Sequence, residues 1–281
     1  MTVAESYRYC ERIARTRAKN FYYSFVLLSS AQRRAMCAIY AYMRYCDDLS
    51  DDESNTDRSG SIAKWRTDLQ QALTGEGLPQ HPLWPAFQDT VERFHIPHQY
   101  FFDMIEGVSS DLEPRRLQTF PELYEYCYKV ASVVGLTIIH IFGFESKEAL
   151  VLAEKCGIAF QLTNILRDVK EDVGLNRVYL PAADLARFDV PEADLAAAQP
   201  SAAFLRLMSF EAGRARRYYT ESRPLLGLIH KKSRSSLWAL IEIYSRLLDR
   251  IEAANFDVLS QRVRLSAAEK AGIVIQAFLR S

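Results

Sequence analysis

Two aspartate-rich segments, far apart in the chain, repeat their polar residues at the spacing of an α-helix. The first contains Asp47 and Asp51, and the second contains Asn164, Asp168 and Asp172. Residues four apart lie on one face of a helix, so each segment carries a polar stripe. Both stripes interrupt apolar helical sequence, where an unpaired carboxylate is costly to bury. The chain is therefore expected to fold so that two helices turn these stripes toward a bound cation.

The chemistry of the two stripes favours Mg²⁺. Carboxylate oxygens are its usual protein ligands, and it keeps part of its coordination shell for water and substrate phosphates. Taken alone, Asp47 and Asp51 are more typical of a solvated helix end, and Asp172 is as typical of a surface acid. The presence of two stripes, rather than either one, is what favours a metal site.

Apolar residues recur with a helical period along most of the chain, and glycine and proline fall between the periodic segments. No stretch alternates apolar and polar residues long enough to indicate a strand. The sequence therefore predicts one all-α domain spanning residues 1–281. The predicted helices are 3–18, 30–53, 61–74, 83–94, 97–110, 120–143, 146–170, 182–188, 201–221, 224–230, 233–254 and 266–279.

Composition excludes several classes of protein. Lys plus Arg and Asp plus Glu both number 35, so the formal net charge is zero, which argues against a nucleic-acid-binding protein. The five cysteines form no CxxC pair and indicate reduced, buried thiols in a cytoplasmic protein. The N-terminus has no apolar signal core. The apolar run at 130–144 is too short to span a bilayer and predicts a buried helix.

Two clusters of basic residues, at 214–217 and 231–234, are expected to be solvated surface. The alternative is contact with anionic lipid headgroups, which would place the protein peripherally on the inner face of a membrane. The sequence does not indicate an oligomeric state.

Four blocks in the right order carry a resemblance to the squalene/phytoene synthase family of head-to-head prenyl transferases. The block 38–48 resembles the first signature of the family, and 126–135 resembles its central helix. Residues 157–172, followed by the flap residues 177–181, resemble the second signature. The similarity begins at 19–25 and extends over nearly the whole chain.

The resemblance implies the class I isoprenoid-synthase fold, a helical bundle around a deep apolar pocket. In that family two or three Mg²⁺ ions join the aspartates to the diphosphates of prenyl diphosphate substrates. Ionisation of one substrate gives an allylic carbocation, which needs a cavity free of water. The double bond of a second substrate attacks the cation, and loss of a proton closes a cyclopropane.

The resemblance also implies roles for individual residues. The metal ligands would be Asp47, Asp48, Asp51, Asn164, Asp168 and Asp172. The arginines that bind diphosphate would be Arg44, Arg167 and Arg177, whose planar forks suit that anion. The residues of the pocket near the reacting carbons would be Phe21, Tyr40, Tyr126, Gln161 and Tyr244. Aromatic faces can stabilise a passing cation, and a tyrosine hydroxyl can relay the proton. Phe25 is expected to limit the depth of the pocket.

Some of these residues have simpler explanations, and one position departs from the family. Judged singly, the tyrosines are more often core residues, Arg44 can pair with Asp48 one turn on, and Arg167 can pair with Glu171. Ala18 stands where the family often has serine, in the segment that contacts a diphosphate. Lys19 or backbone N–H groups would replace the missing hydroxyl.

The expected reaction is the condensation of two farnesyl diphosphates to presqualene diphosphate, because 126–144 most resembles the bacterial presqualene diphosphate synthases of hopanoid pathways. NADPH is not expected. The alternatives are a phytoene synthase acting on geranylgeranyl diphosphate and a full NADPH-dependent squalene synthase. A terpene cyclase or chain elongase should lack 126–128 and the flap. A non-catalytic assembly factor of the same fold typically has eroded metal motifs, whereas here every aspartate is present.

Overall fold

The computed structural model confirms an all-α protein. It describes residues 1–18, 21–52, 54–75, 77 and 79–280. Lys19, the side chain of Phe21 and the side chain of Asp51 lie outside the described part, so the predictions for these three residues remain predictions.

Fourteen α-helices are present in the described chain. The short helix at Phe21–Phe25 was not predicted, and the bounds of the others agree with the predicted helices to within a few residues at most ends. They are α1 (Val3–Arg17), α2 (Phe21–Phe25), α3 (Ser30–Asp51), α4 (Arg58–Thr74), α5 (Trp84–Arg93), α6 (Gln99–Ser109), α7 (Phe120–Cys127), α8 (Val133–Phe142), α9 (Glu148–Gly174), α10 (Ala182–Arg187), α11 (Ala202–Ser222), α12 (Leu225–Leu228), α13 (Lys231–Ala253) and α14 (Ala267–Leu279).

The two helices that carry the polar stripes begin and end differently. Ser29 caps α3, because its hydroxyl accepts a hydrogen bond from the Gln32 N–H. By contrast, α9 has no side-chain cap at its start. It also continues through Gly174, beyond the predicted end at residue 170, so that its whole stripe is helical.

One long helical column runs from Phe120 to Phe142 and is α7, a turn of π-helix at Tyr128–Ser132, and α8. It packs along α9 so closely that a Cβ atom on Gly157 would lie 2.6 Å from the Cα of Ser132. Phe120–Phe142 and Glu148–Gly174 are long and apolar enough to cross a membrane, but 56% and 61% of their most apolar windows are buried in the protein. Burial of that kind is typical of core helices.

Two short strands were not predicted. β1 (Arg115–Arg116) pairs in parallel with β2 (Arg177–Val178), with Arg115 opposite Arg177. A two-residue strand is too short to show alternation in sequence. The pairing fixes the flap, which follows α9, against the loop that follows α6.

The described cysteines are all free and buried, as predicted. Burial raises the pKa of each thiol, to about 12 for Cys46 and Cys156. The α3 side of the core contains an aromatic cluster in which Tyr42 stacks on Trp65 and Phe87. This cluster supports the helix that carries the first aspartates.

The prediction that the basic cluster at 214–217 is solvated surface was wrong for Arg214. Its guanidinium is only 10% exposed and donates hydrogen bonds to Asp184 at 2.9 Å and to Glu211 at 2.8 and 2.7 Å. It also lies 4.1 Å from the ring centre of Phe120. Periodicity could not reveal this burial, because Asp184 and Phe120 are distant in sequence and only Glu211 lies on the same helix. The group joins α10, directly after the flap, to α11.

Candidate active site

A large cavity in the described part of the chain, with a volume of about 430 Å³, is lined by most of the predicted site residues. Its deeper walls are apolar and come from α2, α3, α6, α8, α9, α12 and α13. Polar residues from α3, α9 and the flap also line it. The predicted residues on its walls are Phe25, Tyr40, Arg44, Asp47, Tyr126, Gln161, Asn164, Arg167, Asp168, Asp172, Arg177 and Tyr244.

The second stripe, on α9, is crowded with charge. Arg167 donates a 2.8 Å hydrogen bond from Nε to Asp168, and Arg262 contacts the same carboxylate at 2.9 Å. Asp172 is strongly buried, and burial together with the charge of Asp168 raises its pKa to about 8. Glu171 pairs with Arg262 at 2.9 Å and not with Arg167 as the simpler explanation supposed. The neutral form of Asp172 is therefore favoured while no cation is bound.

Asp47 and Asp48, adjacent acids on α3, point in two different directions. Asp47 lines the cavity, whereas Asp48 is absent from the described walls. Asp48 instead accepts hydrogen bonds from Arg44 and, at 3.0 Å, from Arg17. Adjacent helical residues point about 100° apart, which explains the division. The predicted pairing of Arg44 with Asp48 is thus present, while the Nε atom of Arg44 is buried without a hydrogen-bond partner in the described structure.

Asp111 is a residue of the cavity that sequence reasoning missed. Its carboxylate accepts hydrogen bonds from the hydroxyls of Tyr126 at 3.0 Å and Tyr179 at 2.9 Å. The two rings stack with their centres 4.6 Å apart. Arg177 donates to the backbone carbonyl of Asp111 at 3.2 Å. Burial raises the pKa of Asp111, while Arg177 and the two hydroxyls oppose this shift.

Asp111 follows α6 as a single acid with no partner at helical spacing, so its sequence carries no periodic signal. Its importance comes from contacts with Tyr126 on α7 and Tyr179 in the flap. Because both hydroxyl protons are directed to its oxygens, Asp111 fixes the orientation of the two phenols.

We expect Asp111→Asn to lower kcat at least about tenfold with little change in KM. The amide has one acceptor oxygen, so one tyrosine loses its partner, and a hydrogen bond to a charged group contributes about 1.5–3 kcal/mol. Steady-state kinetics would measure the effect. Asp103→Asn is the control, because Asp103, on the helix α6 that precedes Asp111, accepts a hydrogen bond from Gln99 and does not line the cavity. Equal turnover in the two variants would contradict this role for Asp111.

Aromatic side chains also line the cavity. Tyr244 of α13 stacks on Phe160 of α9 with ring centres 4.3 Å apart and an angle of 10°. Tyr40 is half-buried, and burial raises its pKa to about 12, so it is neutral at physiological pH. Neutral, stacked rings present faces of negative potential without introducing a base near the apolar walls.

The donor set suits a hard divalent cation that completes its shell with substrate oxygens. Asp47, Asp168, Asp172 and the amide of Asn164 open on one cavity. Among the described residues, however, no three acidic, histidine or cysteine side chains converge closely enough to hold an ion by themselves. Mg²⁺ sites of this incomplete kind are common where phosphates supply the remaining ligands.

Comparison with known proteins agrees with this geometry. A family model described as squalene/phytoene synthase matches residues 14–269, most of the chain. The chain belongs to the squalene/phytoene synthase family. Members of this family are prenyltransferases, and the resemblance recognised in the sequence is thereby confirmed.

Individual relatives cover the whole chain. The 15-cis-phytoene synthase of Synechocystis sp. is 35% identical over 297 residues, which are 100% of this chain and 86% of the relative. The crystal structure of a dehydrosqualene synthase in complex with ligand superposes with a TM-score of 0.91 at 30% identity, covering 99% of this chain and 97% of that one. Squalene synthase HpnC from Alicyclobacillus acidocaldarius gives a TM-score of 0.84 at 26% identity, with 90% and 95% covered. The prenyltransferase is therefore similar to enzymes with different named products.

Proposed function

We propose that this enzyme condenses two molecules of geranylgeranyl diphosphate head to head, as a phytoene synthase. The observation that carries the head-to-head reaction is that arginines, carboxylates and apolar walls line the same cavity. The choice of substrate rests on relatives named phytoene synthase, which match the full chain at 35% identity. This support moves our preference away from the farnesyl diphosphate reaction favoured by the sequence alone.

Binding of the diphosphates falls to the arginines that line the cavity. Arg44, Arg167 and Arg177 offer permanently charged, planar donors. Arg44 has a buried Nε atom without a partner in the described structure, which a phosphate oxygen would satisfy. Mg²⁺ held by Asp47, Asp168, Asp172 and Asn164 would supply Lewis-acid stabilisation of the charge on the leaving diphosphate.

The deeper walls protect the carbocation. Phe25, Ile138, Leu240 and other apolar side chains surround the tails and exclude water, which would otherwise convert the cation to an alcohol. The stacked pair of Phe160 and Tyr244 presents an aromatic face to the same space. These residues orient the second substrate so that its double bond, rather than water, reaches the cation.

The proton lost when the cyclopropane closes has a route through Tyr126. The hydroxyl of Tyr126 accepts the substrate proton as its own proton passes to Asp111, 3.0 Å away. Burial raises the pKa of the Asp111 carboxyl and makes it a better acceptor than a solvated aspartate. Tyr179 donates to the other oxygen and holds the carboxylate in place.

A second candidate is condensation of two farnesyl diphosphates, stopping at presqualene diphosphate or continuing to a C30 hydrocarbon. The specific observation in its favour is the structural similarity to dehydrosqualene synthase over nearly the full chain. Both candidates use the same residues and differ in the length of tail that the apolar walls accept.

Product identification distinguishes the candidates. The enzyme would be incubated with Mg²⁺ and labelled farnesyl or geranylgeranyl diphosphate, each with and without NADPH. We expect a C40 product from geranylgeranyl diphosphate that does not depend on NADPH. Higher kcat/KM with farnesyl diphosphate and a C30 cyclopropyl diphosphate would favour the second candidate. Squalene that forms only with NADPH would identify a full squalene synthase, and no condensation with either substrate would overturn the proposal.

A further inference from the structure

The last helix, α14, has an outward face without a polar residue. Three of the most exposed large apolar side chains of the described structure lie on its final turns: Ile275 is 62% exposed, Phe278 is 70% exposed and Leu279 is 77% exposed. Ala268 and Ala271 continue the same face toward the start of the helix. A helix at the surface of a soluble protein usually places charged or polar residues on this side.

The inward face of α14 is apolar as well. Ile273 and Ala277 are fully buried in a cluster with Ile243 and Tyr244 of α13. Of the polar residues of the helix, Glu269 caps the first turn, Gln276 accepts a hydrogen bond from Arg246, and Lys270 lies 6.0 Å from the ring centre of Tyr23. A helix that is apolar on both faces is typical of one that is covered on both sides.

The surroundings of this face are basic. Residues 262–280 contain Arg262, Arg264, Lys270 and Arg280 against the single acid Glu269, a formal charge of +3 in a chain whose total is zero. Arg262 is used in ion pairs with α9, but Arg264 and Arg280 are exposed. Arg280 lies at the end of the apolar face, 4.3 Å from the ring centre of Trp238.

We propose that the outward face of α14 docks on an anionic lipid bilayer, with its apolar side chains in the headgroup region and its arginines against lipid phosphates. Exposed apolar residues bordered by basic ones are the combination that binds a membrane surface. The charge excess favours an anionic bilayer over a second copy of this neutral chain. The basic cluster at 214–217 is a poorer candidate, because Arg214 is buried and Arg216 pairs with Asp249 and Glu252.

If the proposed function is correct, docking through α14 would bring the membrane close to the substrate cavity. Its inward face contacts Tyr244, which lines the cavity. Phe25, from α2, lines the cavity too, and α2 packs against α14. The bilayer would lie one helical layer from the apolar walls of the cavity. Binding to lipid itself does not depend on which prenyl diphosphate reacts.

Vesicle co-sedimentation tests the proposal with the whole protein and without any substrate. The protein would be mixed with phosphatidylcholine vesicles, pure or containing 30 mol% phosphatidylglycerol, a mixture whose surface charge is substantial. We expect binding to the anionic vesicles, reduced about tenfold or more in the triple variant Ile275→Ser, Phe278→Ser and Leu279→Ser. Emission of Trp238 should shift to the blue on binding, because the other two tryptophans, Trp65 and Trp84, are already buried.

Matched controls separate docking from a general loss of apolar surface. Val151→Ser with Leu175→Ser removes side chains that are 57% and 50% exposed elsewhere on the protein and should leave binding unchanged. Arg264→Glu with Arg280→Glu should remove the preference for anionic vesicles. Equal binding by wild type and the triple variant would overturn the proposal, as would concentration-dependent self-association through α14 without lipid binding. Because product identification is a separate assay, either result can stand without the other.

Discussion

Asp172→Asn should lower turnover by at least about a hundredfold while leaving the protein as stable as the wild type or more stable. The loss of activity follows from removal of an electrostatic contact made at the leaving diphosphate, an effect of this size in other enzymes. The gain in stability follows from the raised pKa of about 8, since the folded state disfavours this buried charge beside Asp168. Turnover with saturating Mg²⁺ and the thermal midpoint would be measured together.

The neighbouring variant Glu171→Gln is the control for Asp172→Asn, because Glu171 lies on the same turn and pairs with Arg262. It should retain most activity. EDTA should abolish turnover of the wild type, and added Mg²⁺ should restore it. Wild-type turnover in EDTA, or an active but unstable Asp172→Asn, would show that the second stripe does not hold a metal.

Phe25→Ala should raise the ratio of kcat/KM for the C20 substrate to that for the C15 substrate, at a cost of about 3–5 kcal/mol in the free energy of unfolding. Phe25 is 1% exposed, lines the cavity and packs edge-on against Tyr22. Its removal lengthens the space available to a tail. The ratio would be measured by competition between the two labelled substrates.

Phe87→Ala is the matched control for Phe25→Ala. Phe87 is equally buried but lies in the aromatic cluster with Tyr42, away from the cavity walls. It should cost a similar free energy of unfolding and leave the substrate ratio unchanged. If both variants change the ratio equally, Phe25 is a packing residue and does not determine which tail length the cavity accepts.

Helical periodicity predicted the fold because most helices bury one face against neighbours. The predicted end of the second-stripe helix at residue 170 was early, because glycine is a weak helix former but does not end α9, which continues through Gly174. The π-turn at Tyr128–Ser132, which lies against α9 at Gly157, was not predictable from the helical period alone. Local propensity does not report a contact between distant parts of the chain.

The site was predictable where its residues repeat within one helix, as in Asn164, Asp168 and Asp172. It was not predictable where single residues meet across the fold. Asp111 is the main example, and Arg262, which reaches Asp168 from a loop, is another. Asp48 is a different case, because it is next to a cavity residue in sequence while its carboxylate pairs with Arg17 and Arg44; its role as a metal ligand stays a prediction.

The contact at Gly157 holds α9 and the π-turn, which both line the cavity, in fixed positions relative to each other. A Cβ at this position would lie 2.8 Å from the carbonyl oxygen of Ala131, so the π-turn and α9 meet backbone to backbone. Close-packed backbones cannot slide by small amounts without losing their contacts. Cavities that accept prenyl tails of different length are then expected to differ in the walls that pack through side chains, such as α2. Catalytic geometry and chain-length preference can therefore vary independently within one fold.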